Sequence, residues 1–190
     1  AFCLAHYNAP PFLKGIQETV GDVPLMGCTS FTGILTPGGF IHKEGGVGGV
    51  LLLSSPEMKF GVGGNEIGDD PRAAAQKAVR AAIAQAGKTE SDAASAFVMI
   101  APPGVEETLI KGIEDVIGRV PMIGGSAADN TIEGYWKEFA NYEVYANGVM
   151  VGVIYSELPF STHYTGYYKP TAKQGLITKV EGGASQRAIL

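Results

Sequence analysis

The sequence predicts an α/β (mixed α+β) fold in which a β-α-β unit plus an antiparallel hairpin occurs twice, giving a mixed sheet packed with helices. Three observations predict it: an internal repeat, helix signals that alternate with short apolar runs, and 27 glycines in 190 residues, roughly twice the usual share. Because 45 % of the residues are hydrophobic and only 17 % are charged, the chain can bury a core, and disorder is excluded.

The repeat is most visible where residues 14–27 align with residues 111–124. Both segments begin with Lys-Gly-Ile, continue through a glycine to Val-Pro, and end on a glycine, and Ala-Pro-Pro stands upstream of each. A period of about 100 residues is too long for a solenoid. We therefore predict a single domain made of two repeats, about residues 1–88 and 89–180.

The first repeat opens with the pattern of a β-α-β unit: a strand over residues 2–7, a helix over 11–20 that ends at Gly21, and a strand over 23–29. Two more strands are predicted over residues 40–55 and 58–63. The turn-forming triplet Ser-Pro-Glu stands between them, and so predicts an antiparallel hairpin.

The most regular helix signal joins the two repeats. Asp70 is a typical N-cap, Pro71 suits the first helical position, residues 72–86 are rich in alanine, and Gly87 ends the pattern. One stripe of this helix is apolar and mostly small, which predicts close packing on a sheet. The stripe consists of Ala75, Val79, Ala82, Ile83 and Ala86.

The second repeat follows the same plan, with a strand over residues 97–101, a helix over 105–117 and a strand over 120–124. More strands are predicted after it than in the first repeat. They cover residues 135–146, 149–156, 160–166 and 175–180. Asn147-Gly148 lies between two apolar runs, and that dipeptide is typical of a two-residue hairpin turn.

Charge and hydropathy exclude several kinds of partner. The net charge is -5, and lysine and arginine form no cluster, which argues against binding to nucleic acid. The longest apolar runs fall far short of the ~20 residues that span a bilayer, so no membrane insertion is expected. With two cysteines, Cys3 and Cys28, the chain suits a reducing cytoplasm. It opens at Ala1 inside an apolar run, as a fragment of a longer protein would.

No cofactor or metal is expected. The glycine-rich residues 45–49 resemble a dinucleotide loop, but an apolar strand pattern follows them where such a loop would open a helix. His6, His42 and His163 stand far apart, without the spacing of a metal site.

The best candidate for a ligand site is the pair of segments that follow the second strand of each β-α-β unit. The carboxyl ends of parallel strands commonly form ligand crevices, and small residues with hydrogen-bonding groups stand at both places. The candidate residues are Cys28, Thr29, Ser30, Ser126, Asp129 and Asn130. The alternative for each is that it only caps a turn or a neighbouring amide.

Two other classes of function stay open at this point. Cys28 directly follows a predicted strand, and as a nucleophile it would make the protein a thiol-dependent hydrolase or transferase. Alternatively, strand edges and tyrosines could serve a protein-interaction or assembly module, including a homo-oligomer.

Several motifs resemble the N-terminal FIST domain. They are Val-Pro-Leu-Met-Gly-Cys-Thr-Ser-Phe-Thr-Gly at 23–33, Val-Pro-Met-Ile-Gly-Gly-Ser-Ala-Ala-Asp at 120–129, Asn147-Gly148, and the tail segments at 166–170 and 175–182. The resemblance implies a cytoplasmic sensory domain of signal transduction that binds a small ligand such as an amino acid and is not an enzyme. It also implies a partner C-terminal FIST domain, whose start is missing after residues 181–190.

Overall fold

The computed structural model describes residues 1–163, 168–173, 175–176, 178–181 and 187–189. The helices in these residues are α1 (Ala9–Val20), α2 (Pro71–Gln85) and α3 (Glu106–Ile117). The strands up to α2 are β1 (Phe2–Leu4), β2 (Met26–Ser30), β3 (Ile34–Thr36), β4 (Gly39–Ile41), β5 (Gly48–Gly49) and β6 (Met58–Glu66). The later strands are β7 (Ala96–Ala101), β8 (Met122–Ser126), β9 (Glu138–Ala140), β10 (Glu143–Tyr145), β11 (Gly148–Ser156), β12 (Lys179–Glu181) and β13 (Arg187–Ile189).

Two mixed sheets carry the fold, and the predicted α/β class is confirmed. The first sheet has the strand order β10-β9-β2-β1-β5, and the second has the order β6-β11-β7-β8. β1 pairs in parallel with β2 around α1, and β7 pairs in parallel with β8 around α3, so both predicted β-α-β units form. β3 and β4 form a separate hairpin, and β12 pairs with β13.

The two β-α-β units end their helices in the same way. Gly21 and Gly118 follow α1 and α3 with φ of +76° and +73°, a backbone region that side chains strongly disfavour. Their N–H groups donate to the carbonyls of Gln17 and Glu114, which satisfies the last turn of each helix. The repeated glycine in the sequence is thus a repeated helix terminator.

The helix α2 has the predicted cap and the predicted close packing. The Asp70 side chain accepts a hydrogen bond of 3.0 Å from the backbone N–H of Ala73. Four of the five residues of the predicted stripe are buried, and Ala86 is half-buried. A Cβ atom at Gly63 of β6 would lie 2.1 Å from the carbonyl oxygen of Ala78, so helix and strand are in backbone contact.

Each sheet takes strands from both repeats. β6, from the first repeat, pairs antiparallel with β11, and β9, from the second repeat, pairs antiparallel with β2. One apolar core lies where α2 and α3 cover the second sheet, and another lies where α1 covers the first sheet. A third cluster contains Cys28 and Ala140 of the first sheet with Val62 and Met150 of the second.

The prediction of one long strand over residues 40–55 is wrong. β4 ends at Ile41, β5 is two residues long, and residues 50–55 have no regular structure. Gly45 and Gly46 have φ of +89° and +115°, so the glycine-rich segment bends the chain where a strand would need extended backbone. The predicted hairpin at Ser-Pro-Glu is wrong as well, because β6 pairs with β11.

The predicted strand over residues 135–146 is interrupted. Asn141 and Tyr142, with φ of +48° and +70°, form a turn that folds β10 back onto β9. Asn147-Gly148 therefore does not close a hairpin. β11 instead pairs with β6 and β7: all its residues except Ser156 are buried, and the backbone N–H and C=O groups of a buried strand need partners on both edges.

The tail matches its prediction only in part. Residues 160–163 form no strand, and residues 164–166 of that predicted strand lie outside the described residues. Of the strand predicted over 175–180, only Lys179 and Val180 belong to β12, and residue 177 is not described. None of the described helices is long and apolar enough to cross a bilayer.

Candidate functional site

The chain segments at the carboxyl ends of β2 and β8 lie against each other. The Thr29 hydroxyl donates to the carbonyl oxygen of Ala128 at 2.7 Å, and the Ala128 N–H donates back to the Thr29 carbonyl at 3.1 Å. Since β2 belongs to the first sheet and β8 to the second, these bonds join the two sheets at one place. We call this place the joined loops, meaning residues 28–33 and 126–135.

Three of the six candidate residues are buried, and two of them, Thr29 and Asp129, hold the joined loops in place by hydrogen bonds. Thr29 is 1 % exposed, and its hydroxyl also accepts a hydrogen bond from the N–H of Lys137 at 2.9 Å. Cys28 lies on β2 between Phe2 of β1 and Glu138 of β9. Asp129, 2 % exposed, fixes the course of the second loop. These side chains are therefore part of the scaffold of the site.

Asp129 organises the loop through backbone donors. Its carboxylate accepts hydrogen bonds from the N–H groups of Thr131, Ile132, Glu133, Gly134 and Tyr135. Burial by itself would raise the pKa of Asp129, but these donors outweigh it and lower the pKa below its ordinary value. The carboxylate is thus ionised at neutral pH and its acceptor capacity is used within the loop.

The other three candidates are half-buried or exposed as whole residues. The Ser30 hydroxyl donates to the carbonyl of Gly33 at 2.8 Å, and Ser126, which is exposed, donates to Oε1 of Glu106 at 2.6 Å. Asn130 is half-buried, and its Oδ1 has no hydrogen-bond partner among the described residues. An unpartnered buried acceptor is unfavourable, so it indicates a place where a donor can bind.

Glu106 is a site residue that the sequence analysis missed. Burial would raise its pKa, but the Ser126 hydroxyl and nearby backbone N–H groups, including that of Gly104 at 2.7 Å, lower it overall. It stands at the first position of α3, whose start the sequence does predict. No pattern along the chain links it to Ser126, which lies on the neighbouring strand.

Both loops also contain a β-branched residue with strained backbone. Thr32 has a φ of +57° and Ile132 has a φ of +60°, a region in which β-branched residues are genuine outliers. Strain of this kind persists only where the surrounding structure enforces it, and it is frequent at ligand-binding loops. The occurrence of one such residue in each loop favours a functional role for the joined loops.

The thiol of Cys28 is unsuited to nucleophilic chemistry. Burial, with a contribution from the Glu138 carboxylate, raises its pKa to about 12. Only the thiolate is an effective nucleophile, and little of it forms at neutral pH with such a pKa. This weighs against the thiol-dependent hydrolase or transferase.

A second missed residue is Glu138, which is fully buried on β9 opposite Cys28. Its Oε2 accepts a 3.2 Å hydrogen bond from the N–H of Gly148, while Oε1 has no partner among the described residues. Burial raises the pKa of this carboxyl to about 7. In the sequence, Glu138 shows only as a carboxyl group within a predicted apolar strand. That pattern does not reveal that its side chain lies between two sheets.

A cavity of about 310 Å³ lies at the opposite end of β2 from the joined loops. Its lining includes residues 23–26 and 50–53, Ala1, and residues of the second sheet such as Phe60. The sequence does not reveal this cavity, because residues 50–53 have the pattern of a buried strand. Within the described residues there is no cluster of three side chains that could hold a metal ion.

The chain matches the model of one protein family. The FIST N domain model matches residues 1–184, nearly the whole chain. The chain belongs to the FIST N domain family. This match confirms the resemblance seen in the sequence motifs. FIST domains are sensory domains of signal transduction. A search of curated proteins gave no match to this FIST N domain.

Proposed function

We propose that this FIST N domain binds a small polar ligand at the joined loops and is the ligand-sensing part of a signalling protein. The observation that carries the proposal is the contact between the two strand exits, with the unpartnered Oδ1 of Asn130 beside it. Because the loops come from different repeats and different sheets, a ligand that touches both would bridge the sheets.

The side chains at the joined loops suit a zwitterionic ligand such as an amino acid. An ammonium group needs acceptors: the Glu106 carboxylate is one, and the buried Oδ1 of Asn130 becomes a second when its side chain turns toward the ligand. A carboxylate needs donors, and the hydroxyls of Ser30 and Ser126 can turn toward it in place of their present partners. The ring of Tyr135, 63 % exposed, offers apolar surface for a ligand side chain.

The proposed site gives a physical route from binding to signal. β2 carries the first loop and packs within the first sheet, while β8 carries the second loop within the second sheet. A ligand that contacts both loops favours the arrangement of the sheets in which the loops are closest. It can shift the conformational equilibrium only by its difference in affinity for the two arrangements.

A thermal-shift screen against the twenty amino acids, followed by calorimetry on any hit, tests the proposal. A ligand of the native state must raise the Tm. For a confirmed ligand, we expect Asn130→Ala to weaken binding by about tenfold or more, since the acceptor is lost. Ser126→Ala should weaken it as well.

Two control variants make the result specific. Asn65→Ala removes another half-buried asparagine, on β6, and Ser91→Ala removes an exposed serine before β7. Both should bind the ligand as the unaltered chain does. The proposal fails if no amino acid raises the Tm, or if Asn130→Ala and Ser126→Ala bind as tightly as their controls.

A further inference from the structure

The strand β8 is an open edge of the second sheet. It pairs with β7 on one side, and none of the described strands pairs with its other side. All five of its residues are exposed, and none of them is charged. Edge strands usually carry charges or other devices that prevent pairing with another chain. An uncharged open edge therefore favours the binding of a further strand.

The first repeat shows what covers such an edge. In the alignment of the repeats β2 corresponds to β8, and the side of β2 away from β1 pairs antiparallel with β9. The Thr29 N–H donates to the Lys137 carbonyl at 2.9 Å, and the Asn141 N–H donates to the Leu25 carbonyl at 2.8 Å. The strand that covers β2 is thus the first strand of the β9–β10 hairpin.

The β3–β4 hairpin has the same construction as the β9–β10 hairpin. Each has two three-residue strands joined by a two-residue turn. Leu35 and Phe40 are the central cross-strand pair of the first hairpin, whose residues 34–41 are uncharged. Phe139 and Val144 are that pair in the second. Phe139 is 0 % exposed, whereas Leu35 and Phe40 are 75 % and 60 % exposed, so the apolar face of β3–β4 is uncovered.

The helix beside β8 leaves room for that apolar face. In the first sheet Phe139 packs in one cluster with Leu13 of α1, which is 1 % exposed. Ile110 of α3 is the counterpart of Leu13 in the repeat, and it is only half-buried. A β3–β4 hairpin that lay on β8 as β9–β10 lies on β2 would bring Leu35 onto Ile110.

The chain's own β3–β4 hairpin is held on the first sheet. A Cβ atom at Gly49 of β5 would lie 3.0 Å from Cδ1 of Ile34, so this side chain packs closely on β5. Only residues 31–33 join the hairpin to β2, whereas residues 127–137 carry β9 from the second sheet to the first. The hairpin that covers β8 must therefore come from a second copy of the chain.

We propose that this domain forms a two-fold symmetric dimer in which the β3–β4 hairpin of each copy binds along β8 of the other. Gly27 pairs with Phe139 in the first sheet, so Leu35 comes opposite Gly124, the counterpart of Gly27. Ile34, on the other face of β3, stays against β5 of its own copy. Because every copy has one uncovered hairpin and one open edge, two identical contacts close the pair.

Analytical ultracentrifugation of the 190-residue chain between about 1 and 100 μM tests the dimer. We expect a monomer–dimer equilibrium, and Leu35→Lys should weaken it by about tenfold or more, since the new charge would be buried beside α3. Leu158→Lys, at another exposed leucine, is the matched control and should dimerise as the unaltered chain does. Because both leucines are exposed in the single chain, neither change should lower the Tm of the monomer.

A disulfide trap tests the register of the junction. Thr36 and Ile123 face each other across the proposed strand pair, at a Cα separation that a disulfide can bridge. A Thr36→Cys chain mixed with an Ile123→Cys chain should therefore form the mixed disulfide under air oxidation. Thr89→Cys, at an exposed threonine after α2, replaces Thr36→Cys in the control mixture and should not.

Three results would overturn the proposal. The first is a chain that stays monomeric at about 100 μM, and the second is equal dimerisation of Leu35→Lys and its control. The third is slow exchange of the Ser126 amide, the counterpart of the Thr29 amide, in the monomer. In that case a segment of the same chain would already cover β8.

Discussion

The equivalent glycines Gly15 and Gly112 provide a sharp test of the packing. Both follow a lysine and precede an isoleucine in the middle of a helix, so the two alanine substitutions are the same change in the same local sequence. In each, alanine removes the backbone entropy penalty of a helical glycine, a gain of about 0.5–1 kcal/mol. Only the surroundings of the two residues differ.

At Gly112 the new methyl group would meet the neighbouring helix. It would lie 2.5 Å from the carbonyl oxygen of Arg72 and 2.9 Å from the Cβ of Ala75, so α2 must move away from α3. Overpacking of this kind costs about 1–3 kcal/mol. At Gly15 nothing lies within 4 Å. Since the helix propensity gain is common to both, the two variants should differ by about 1–3 kcal/mol, with Gly15→Ala the more stable.

Urea denaturation followed by circular dichroism measures this difference. Gly15→Ala should unfold at a higher urea concentration than the unaltered chain, and Gly112→Ala at a lower one, with unchanged m-values. In a chain of this length, 1 kcal/mol corresponds to about 2–4 °C in Tm, so thermal scans provide a second readout. If Gly112→Ala stabilises the chain as much as Gly15→Ala does, the close contact between α2 and α3 is refuted.

Three further predictions concern titration, thiol reactivity and capping. Because burial raises the pKa of Glu138 to about 7 from 4.5 in the unfolded chain, its protonated form favours folding. The contribution of Glu138 to the free energy of unfolding should therefore fall by about 2–3 kcal/mol between pH 4.5 and 7. Urea denaturation over that pH range measures this fall, and the Glu138→Gln variant should lack it. Burial raises the pKa values of Cys28 and Cys3 to about 12 and about 11, so both thiols of the native chain should react slowly with iodoacetamide at pH 7.5. In urea both should be labelled. Fast labelling of Cys28 in the native chain would instead support the thiol-dependent hydrolase or transferase. Asp70→Ala should lower the free energy of unfolding by about 1 kcal/mol in the same urea assay, because the N-cap of α2 is lost. Asp69→Ala, at the exposed preceding residue, is the control, and an equal loss there would contradict this cause.

Local sequence was sufficient for the elements whose signals lie within the element itself. The cap and small-residue stripe of α2 and the glycines that end α1 and α3 act over one or two helical turns, so they can be recognised along the chain. The two β-α-β units could be predicted because the repeat contains the same strand and helix signals twice. The contact between Thr29 and Ala128 did not follow from the repeat, because β2 and β8 belong to different sheets and share no edge.

Pairing between strands that are far apart in the chain could not be predicted from local sequence. Residues 50–53 have the pattern of a buried strand, but whether they pair depends on what lies beside them, and the glycines before them bend the chain first. Asn147-Gly148 is a strong local hairpin signal, yet the apolar surface of β11 is better buried between β6 and β7.

The sequence by itself determined the α/β class, the two β-α-β units and the approximate helix boundaries, because periodicity and capping are short-range effects. Only the tertiary structure decided how the repeats exchange strands, and which side chains at the joined loops are buried and which are exposed. Burial and hydrogen bonding between residues far apart in the chain depend on the packed sheets. For that reason the titration of Glu138, the unpartnered oxygen of Asn130 and the cavity lined by residues 23–26 and 50–53 emerge only from the folded chain.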